Sequence, residues 1–142
     1  MKKSILLLLI TACLFGCNSD KAKVNNENTH NANLTALEVV NKRMDLYNSH
    51  NFTEFIKLYA QDVEIYTYPE QLLGTGTDNI TSIFEPKFAD KSIQVQIVSQ
   101  MNNGNHVINH EIVTENGSDT KYVSIYEVEN GLIRSVRFVR DN

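Results

Sequence analysis

The sequence contains no block of basic residues, and this absence limits its partners. Its 142 residues include 13 Lys and Arg against 17 Asp and Glu, which gives a formal charge of −4. A mildly acidic chain without a basic patch offers no electrostatic reason to expect nucleic acid as a partner. The length suffices for one domain with a hydrophobic core and is too short for two.

Cysteine is also scarce, and both cysteines, Cys13 and Cys17, lie near the N-terminus. A short basic start precedes an apolar run over residues 4–15, which is too short for a permanent membrane span and is typical of a secretory signal. The run ends in Leu14-Phe15-Gly16-Cys17, which resembles the lipobox of bacterial lipoproteins, although Phe15 is bulkier than the residue usual there. The alternative is a plain signal peptide with an incidental cysteine.

The lipobox resemblance implies cleavage before Cys17 and acylation of that cysteine. We therefore expect a signal peptide over residues 1–16, a lipidated cysteine with a disordered tether over 17–33, and a folded domain over 34–142. Removal of Cys13 and acylation of Cys17 leave no thiol for a disulfide, a nucleophile or a metal site. Because two or more acyl chains anchor a protein stably, we predict a lipid anchor in the bacterial cell envelope, outside the cytoplasm.

Two helix signals open the predicted domain. Thr35 and Glu38 have the spacing of a capping box, and apolar residues then recur at helical spacing up to about Asn48. A second cap over residues 51–54 opens another helix. The chain therefore begins with two consecutive amphipathic helices.

A short strand and a third helix follow. Residues 63–68 are typical of a strand, and the glycines of residues 74–76 indicate a loop. Thr77 or Asp78 caps the third helix, which Pro86 ends or kinks.

Alternating polarity dominates the C-terminal half. Over residues 93–101 apolar side chains alternate with glutamines, which predicts a half-buried strand with Met101 on its apolar side and Gln100 on its polar side. Turns rich in Asn and Gly then separate three further strands, over residues 106–114, 122–128 and 132–139. Helices followed by strands in hairpin succession indicate an α+β fold.

Two segments, YNSHNFTEFIKLYAQDVEIYTYP and YEVENGLIRSVRFV, resemble the nuclear transport factor 2-like superfamily, in particular its SnoaL-like branch. The resemblance covers residues 34–139. It implies three N-terminal helices packed on a curled, mainly antiparallel sheet that forms a cone-shaped pocket, and a homodimer that packs through the sheet. The superfamily includes enzymes of several classes and non-catalytic domains, so the fold alone does not give the reaction.

The best-known members, the ketosteroid isomerases, use a Tyr, an Asp base and a protonated Asp. The resemblance places Arg43, Thr67 and Ser124 at or near those three positions. A Thr hydroxyl cannot accept a proton at neutral pH as a carboxylate does. The sequence therefore indicates that this chain is not a ketosteroid isomerase.

The segment NHVINHEIV, residues 105–113, contains His106 and His110 at the helical spacing of zinc hydrolases. Its β-branched residues and flanking turns predict a strand instead, in which four residues span about 13 Å, too far for one metal ion. We therefore predict no metal site, and no cofactor. The resemblance also implies that Asn109 and Glu111 point inward.

Glu111 is the catalytic candidate, because an inward carboxylate on an apolar face is suited to general acid or base chemistry. The alternative is that Glu111 lies at the mouth of the cone, solvated or paired with Arg43. Tyr47 is either a ligand contact or a core residue, and Arg43 either binds a carboxylate or forms an exposed ion pair. The full predicted ligand pocket comprises Arg43, Tyr47, Thr67, Phe84, Asn109, Ser124, Tyr126 and Phe138.

Three functions are consistent with these features. In the first, a membrane-anchored domain binds a small, largely apolar molecule without transforming it. In the second, Glu111 moves a proton in an isomerase-like or dehydratase-like reaction. In the third, the domain is a dimerisation or protein-docking module whose contact surface includes Ile108, Ile112, Val123 and Ile125.

Overall fold

The computed structural model describes residues 33–140; the predicted signal peptide, Cys17 and nearly all of the predicted tether lie outside this range. The described chain has three helices: α1 over Ala36–Asn48, α2 over Phe52–Ile56 and α3 over Gly76–Ala89. Within residues 33–140 no helix has the length and apolar character needed to cross a membrane.

Six strands form one mixed sheet. They are β1 over Tyr59–Thr67, β2 over Gln71–Thr75, β3 over Ile93–Asn103, β4 over His106–Glu115, β5 over Ser118–Glu129 and β6 over Leu132–Arg140. The order across the sheet is β2-β1-β6-β5-β4-β3, with β1 and β6 parallel and all other neighbours antiparallel. The predicted α+β fold, with three helices on a mainly antiparallel sheet, is confirmed, and the sheet is open.

Helices α1 and α2 begin where their cap signals predict. Thr35 Oγ accepts a hydrogen bond from the backbone N–H of Glu38 at 3.3 Å, and the Glu38 carboxylate accepts one from the backbone N–H of Thr35 at 2.8 Å. Asn51 caps α2 by accepting from the N–H of Glu54. These side chains satisfy N–H groups that have no partner within the first helical turn.

The segment before α3 differs from the prediction. Residues 71–75 form the edge strand β2 rather than a loop, and α3 begins at Gly76, earlier than a cap at Thr77 or Asp78 implies. Gly76 has a φ of +81°, a conformation that favours glycine, and this lets the chain turn directly from strand into helix. Pro86 lies inside α3, which continues past it.

Strand β3 contains a bulge that the sequence pattern does not predict. The pairing register with β4 shifts between Ile97 and Ser99, so Val98 is an extra residue. An extra residue reverses the alternation of side chains beyond it. Met101 is therefore 61% exposed, contrary to the predicted alternation, and Gln100 turns toward the inner face of the sheet.

The hydrophobic core lies between the helices and the inner face of the sheet. Phe55 of α2 is fully buried, and its ring centroid lies 4.8–6.1 Å from four other aromatic rings, those of Tyr47, Tyr59, Phe84 and Phe88. Aromatic pairs at such distances add to the free energy gained by burial. This aromatic cluster fixes α1 and α3 over the sheet, and a cavity remains between them.

Candidate functional site

A cavity of about 280 Å³ lies between α1, α3 and the inner face of the sheet. Its apolar walls come from both layers and include Ile65, Ile80, Phe84, Val113, Val136 and Phe138. At the inner end lie buried polar side chains, here called the inner cluster: Arg43, Tyr47, Tyr59, Glu111, Ser124 and Tyr126. At the open end the lining residues Leu73 and Ile83 are 50% and 43% exposed.

Glu111 is only 4% exposed, and its carboxylate is held by hydrogen bonds. It accepts from the Ser124 hydroxyl at 2.7 Å, from the Tyr126 hydroxyl at 3.3 Å and from the Asn109 amide at 3.3 Å. Strands β4 and β5 bring these groups together, since alternate residues of each strand share the inner face. The structure thus excludes the alternative in which Glu111 is solvated at the mouth.

A chain of amides leads from α1 to Glu111. The Gln100 amide nitrogen donates to the Asn41 side-chain oxygen and to the Asn109 side-chain oxygen, both at 3.0 Å. Because the oxygen of Asn109 is the acceptor, its amide nitrogen is directed at Glu111. The bulge at Val98 makes this contact possible, because it turns Gln100 inward.

Arg43 is buried, at 7% exposed, and does not form the exposed ion pair that one interpretation of the sequence predicts. Its Nε donates to the Tyr59 hydroxyl at 2.6 Å. Its guanidinium carbon lies 5.1–5.3 Å from the ring centroids of Tyr47, Phe55 and Tyr126. Contacts with aromatic faces stabilise a desolvated cation.

Burial and charge set the protonation of the inner cluster. Burial acts to lower the pKa of Arg43, but Tyr126, Tyr59 and the Glu111 carboxylate raise it, and the net pKa is above the ordinary value. Burial raises the pKa of Tyr47, Tyr59 and Tyr126, since a phenolate would lose its hydration. Arg43 is therefore a cation at neutral pH, and the three hydroxyls keep their protons and act as donors.

An ion pair lies at the open end of the cavity. Lys87 of α3 and Glu115 at the end of β4 approach to 2.7 Å, with side chains 32% and 42% exposed. Sequence reasoning missed this pair and Tyr59. The spacing of apolar residues predicts Tyr59 on one side of the second helix, but that helix ends at Ile56 and Tyr59 is the first residue of β1. No feature of the sequence predicts the ion pair between Lys87 and Glu115, because the contact depends on the packing of α3 against the end of β4.

The structure brings together most of the predicted pocket residues. Those that line the cavity are Arg43, Tyr47, Phe84, Ser124, Tyr126 and Phe138, together with Glu111. Asn109 is fully buried behind Glu111 and does not line the cavity. Thr67 lies in an adjoining groove of about 530 Å³ at the strand ends, where its hydroxyl donates to Gln71.

The two histidines of the segment NHVINHEIV lie on strand β4, as predicted. His106 and His110 alternate with the fully buried Val107 and Asn109, so both point to the outer face of the sheet. Between residues 33 and 140 no group of three or more His, Cys, Asp or Glu side chains is arranged to hold a metal ion.

A model of the SnoaL-like domain matches residues 40–136 of the chain. No curated protein is significantly similar to it in sequence. The match extends from within α1 to the middle of β6 and so includes every residue of the inner cluster.

Solved structures with the same fold have low sequence identity to the chain. A nuclear transport factor 2-like protein from Cytophaga hutchinsonii has a TM-score of 0.66 and 18% identity, over 76% of this chain and 91% of that one. A candidate polyketide cyclase from Pseudomonas putida has a TM-score of 0.61 and 17% identity, over 76% and 92%. A candidate ketosteroid isomerase from Kribbella flavida has a TM-score of 0.58 and 19% identity, over 82% and 79%.

Proposed function

This chain belongs to the SnoaL-like domain family, and we propose that it binds a small, largely apolar molecule in its cavity without transforming it. The main support is the cavity, whose apolar walls enclose a few buried polar groups at one end. Ligand pockets in proteins share this arrangement, in which polar groups fix the orientation of the ligand. The volume of about 280 Å³ is near the lower end of the range of about 300–1,000 Å³ for such pockets.

The inner cluster is poorly explained by folding stability alone. A buried pair of opposite charges loses hydration on both groups, and well-packed apolar residues in its place are often as stable or more stable. Arg43 and Glu111 are nonetheless both buried beside a cavity that they line. Selection for a ligand that contacts these groups accounts for the cost of burying them.

We further propose that a lipidated Cys17 anchors the domain to the cell envelope, and that the tether joins the domain at the end opposite the cavity mouth. Asn41 in α1 contacts Gln100 in the last part of β3, so the N-terminal end of α1 lies toward that end of the sheet. The cavity mouth includes Glu115 at the end of β4 and Tyr122 near the start of β5, at the opposite end. The first described residues, 33–35, therefore lie at the end of the domain opposite the cavity mouth.

Native mass spectrometry of the protein purified from its own host tests the binding proposal. We expect a retained small molecule that is lost from Ile65→Phe, because Ile65 lines the cavity and a larger ring fills it. Leu72→Phe is the matched control, since Leu72 of edge strand β2 is 51% exposed and lines neither the cavity nor the adjoining groove. Wild-type protein without any bound mass, or equal retention by both variants, contradicts the proposal.

A second proposal is an enzyme in which Glu111 transfers a proton. The observation in its favour is a carboxylate that lines an apolar cavity and is oriented by Ser124, Tyr126 and Asn109. Such pre-orientation suits an isomerase-like step, in which Glu111 takes a proton from one carbon and returns it to another. It equally suits a dehydratase-like step, in which Glu111 takes a proton from carbon and passes it to the neighbouring hydroxyl, which leaves as water while the two carbons form a double bond.

Deuterium exchange tests this second proposal. In D₂O, cyclohexanone exchanges the protons next to its carbonyl when a base removes them, and NMR measures the rate. We expect wild-type protein to exceed the buffer rate and Glu111→Gln to match it, while Glu85→Gln, on the exposed face of α3, behaves as wild type. A wild-type rate equal to that of buffer would eliminate the enzymatic proposal for ketones and leave the binding proposal in place.

A further inference from the structure

The inner cluster has a surplus of N–H and O–H donors that find no acceptor among the described residues, and Arg43 is the largest contributor. A guanidinium has five N–H donors. In Arg43, Nε donates to the Tyr59 hydroxyl and one Nη1 hydrogen to the Met44 sulfur. Within residues 33–140 no oxygen accepts from the remaining three hydrogens. Because Arg43 lines the cavity, these hydrogens are available to a ligand.

Two tyrosine hydroxyls add to this surplus. The Tyr59 hydroxyl accepts from Arg43 and, among the described residues, has no acceptor for its own hydrogen. The Tyr47 hydroxyl makes no hydrogen bond to any residue between 33 and 140, and Tyr47 lines the same cavity. No buried side-chain nitrogen or oxygen of the described chain is without a partner, so the Tyr47 hydroxyl is open to the cavity. Both tyrosines are protonated at neutral pH, since burial raises the pKa of each.

The one charged acceptor of the inner cluster is already engaged. Glu111 is its carboxylate, with about four lone-pair directions. The Ser124 hydroxyl donates to Oε1, the Asn109 amide donates to Oε2, and the Tyr126 hydroxyl lies 3.3 Å and 3.4 Å from the two oxygens. Glu111 therefore leaves little acceptor capacity for Arg43, Tyr47 and Tyr59.

We propose that the ligand is a small carboxylic acid whose carboxylate accepts hydrogen bonds from Arg43, Tyr47 and Tyr59 and whose apolar body fills the cavity. This inference rests on the proposed binding function. A carboxylate has no donor and presents two oxygens, which matches a site with surplus donors and a guanidinium. Glu111 repels a second anion, and its own three donors together with the Arg43 cation offset that repulsion.

The apolar walls of the cavity limit the chemistry of the rest of the ligand. Ile65, Ile80, Val113 and Val136 offer no hydrogen bonds, so a polar group on the ligand body would be buried without a partner. A carboxylic acid with a straight or aryl-substituted chain matches both the polar groups at the inner end and the apolar walls of the cavity. Longer chains extend past Phe138 into the adjoining groove, which shares Leu73, Tyr122 and Phe138 with the cavity.

Isothermal titration calorimetry with matched acids and amides tests this inference. The probes are octanoate and 3-phenylpropanoate, each compared with its primary amide, which has the same body, no charge and added N–H donors. We expect each acid to bind about tenfold or more tightly than its amide, the difference that a charge-assisted hydrogen bond makes. Amides that bind as tightly as the acids would overturn the inference while supporting the proposed function. Absence of binding by all four probes would contradict both.

Three conservative variants locate the carboxylate. We expect Tyr47→Phe and Tyr59→Phe each to weaken octanoate binding several-fold and to leave octanamide binding nearly unchanged. Tyr66→Phe is the matched control and should bind octanoate as wild type does, because the Tyr66 hydroxyl donates to Glu64 and lines neither the cavity nor the groove. Circular dichroism confirms that each variant is folded. Equal effects of the three variants on octanoate would contradict the assigned position of the carboxylate.

Discussion

At the scale of single residues, the site depends on two buried charges on different elements. Arg43 comes from α1 and Glu111 from β4, and the Tyr59 and Tyr126 rings lie around them. Alternation along a strand is enough to predict that Glu111 and Asn109 share a face, and both are buried. The burial of Arg43 is not predictable in this way, because its contacts come from residues distant in the sequence.

A double-mutant cycle tests the coupling of these two charges. We expect Arg43→Met to destabilise the fold by about 1–3 kcal/mol, because the Tyr59 hydroxyl loses its donor and the buried Glu111 carboxylate loses the attraction of the nearby cation. Glu111→Leu should also destabilise, and the double variant should lose less stability than the sum of the two single variants. Urea unfolding measures each free energy of unfolding. Additive effects would show that Arg43 and Glu111 act independently.

At the scale of helices and strands, features set by neighbouring residues can be predicted from the sequence, whereas features set by pairing with a distant strand cannot. The caps of α1 and α2 were predictable because Thr35, Glu38, Asn51 and Glu54 bond only within their own turns. The bulge at Val98 was not, because apolar and polar residues alternate without interruption up to Ile97. Its position is set by pairing with β4 and by the hydrogen bonds that Gln100 gains, which are tertiary contacts.

The cap of α1 gives a prediction about stability and pH. We expect Thr35→Ala to lower the free energy of unfolding by about 1 kcal/mol, because the N–H of Glu38 loses its acceptor. Thr53→Ala, on the exposed face of α2, is the control and should change stability by less than about 0.5 kcal/mol. Urea unfolding at pH 7 measures both.

The effect of Thr35→Ala should shrink in acid. The Glu38 pKa is below its ordinary value of 4.5, because the Thr35 backbone N–H and hydroxyl donate to its carboxylate. A carboxylate with a lowered folded-state pKa stabilises the fold above the unfolded-state pKa, and this contribution is lost as the pH falls through the folded-state value. The difference in the free energy of unfolding between wild type and Thr35→Ala should therefore be smaller at pH 3 than at pH 7. A stability difference that grows as the pH falls would contradict the predicted direction of the pH dependence.

At the scale of the whole molecule, the sheet has two different faces. The inner face packs on the helices and bounds the cavity, whereas the outer face exposes apolar side chains. Met101 is 61% and Val123 is 41% exposed there, beside the half-buried Ile108 and Ile125. Contiguous exposed apolar surface is typical of an interaction site. We propose that a second copy of the chain covers this face and forms a homodimer.

Sedimentation equilibrium tests the dimer. Wild-type protein should sediment as a dimer, and the double variant Met101→Lys with Val123→Lys should sediment as a monomer, because two charges cannot be buried there without partners. Ile83→Lys, which places a charge on the exposed part of α3, should remain dimeric. A wild-type monomer at high protein concentration would contradict the proposal.

The proposed lipid anchor at Cys17 gives a further prediction for the whole molecule. In cells, wild-type protein should fractionate with membranes, and Cys17→Ser should shift it to the soluble fraction or leave it unprocessed, because the acyl chains hold the protein at the bilayer. Immunoblots of the separated fractions measure the distribution. Identical distributions together with identical band sizes for wild type and variant would show that Cys17 is not the anchor.

Crystallography of the protein purified from its own host tests the central claim most directly, through electron density in the cavity between α1, α3 and the sheet. We predict connected density for a small molecule that contacts Arg43 at the inner end and lies against Val113 and Val136. A cavity that contains only ordered water, or one closed by its own side chains, would contradict the account.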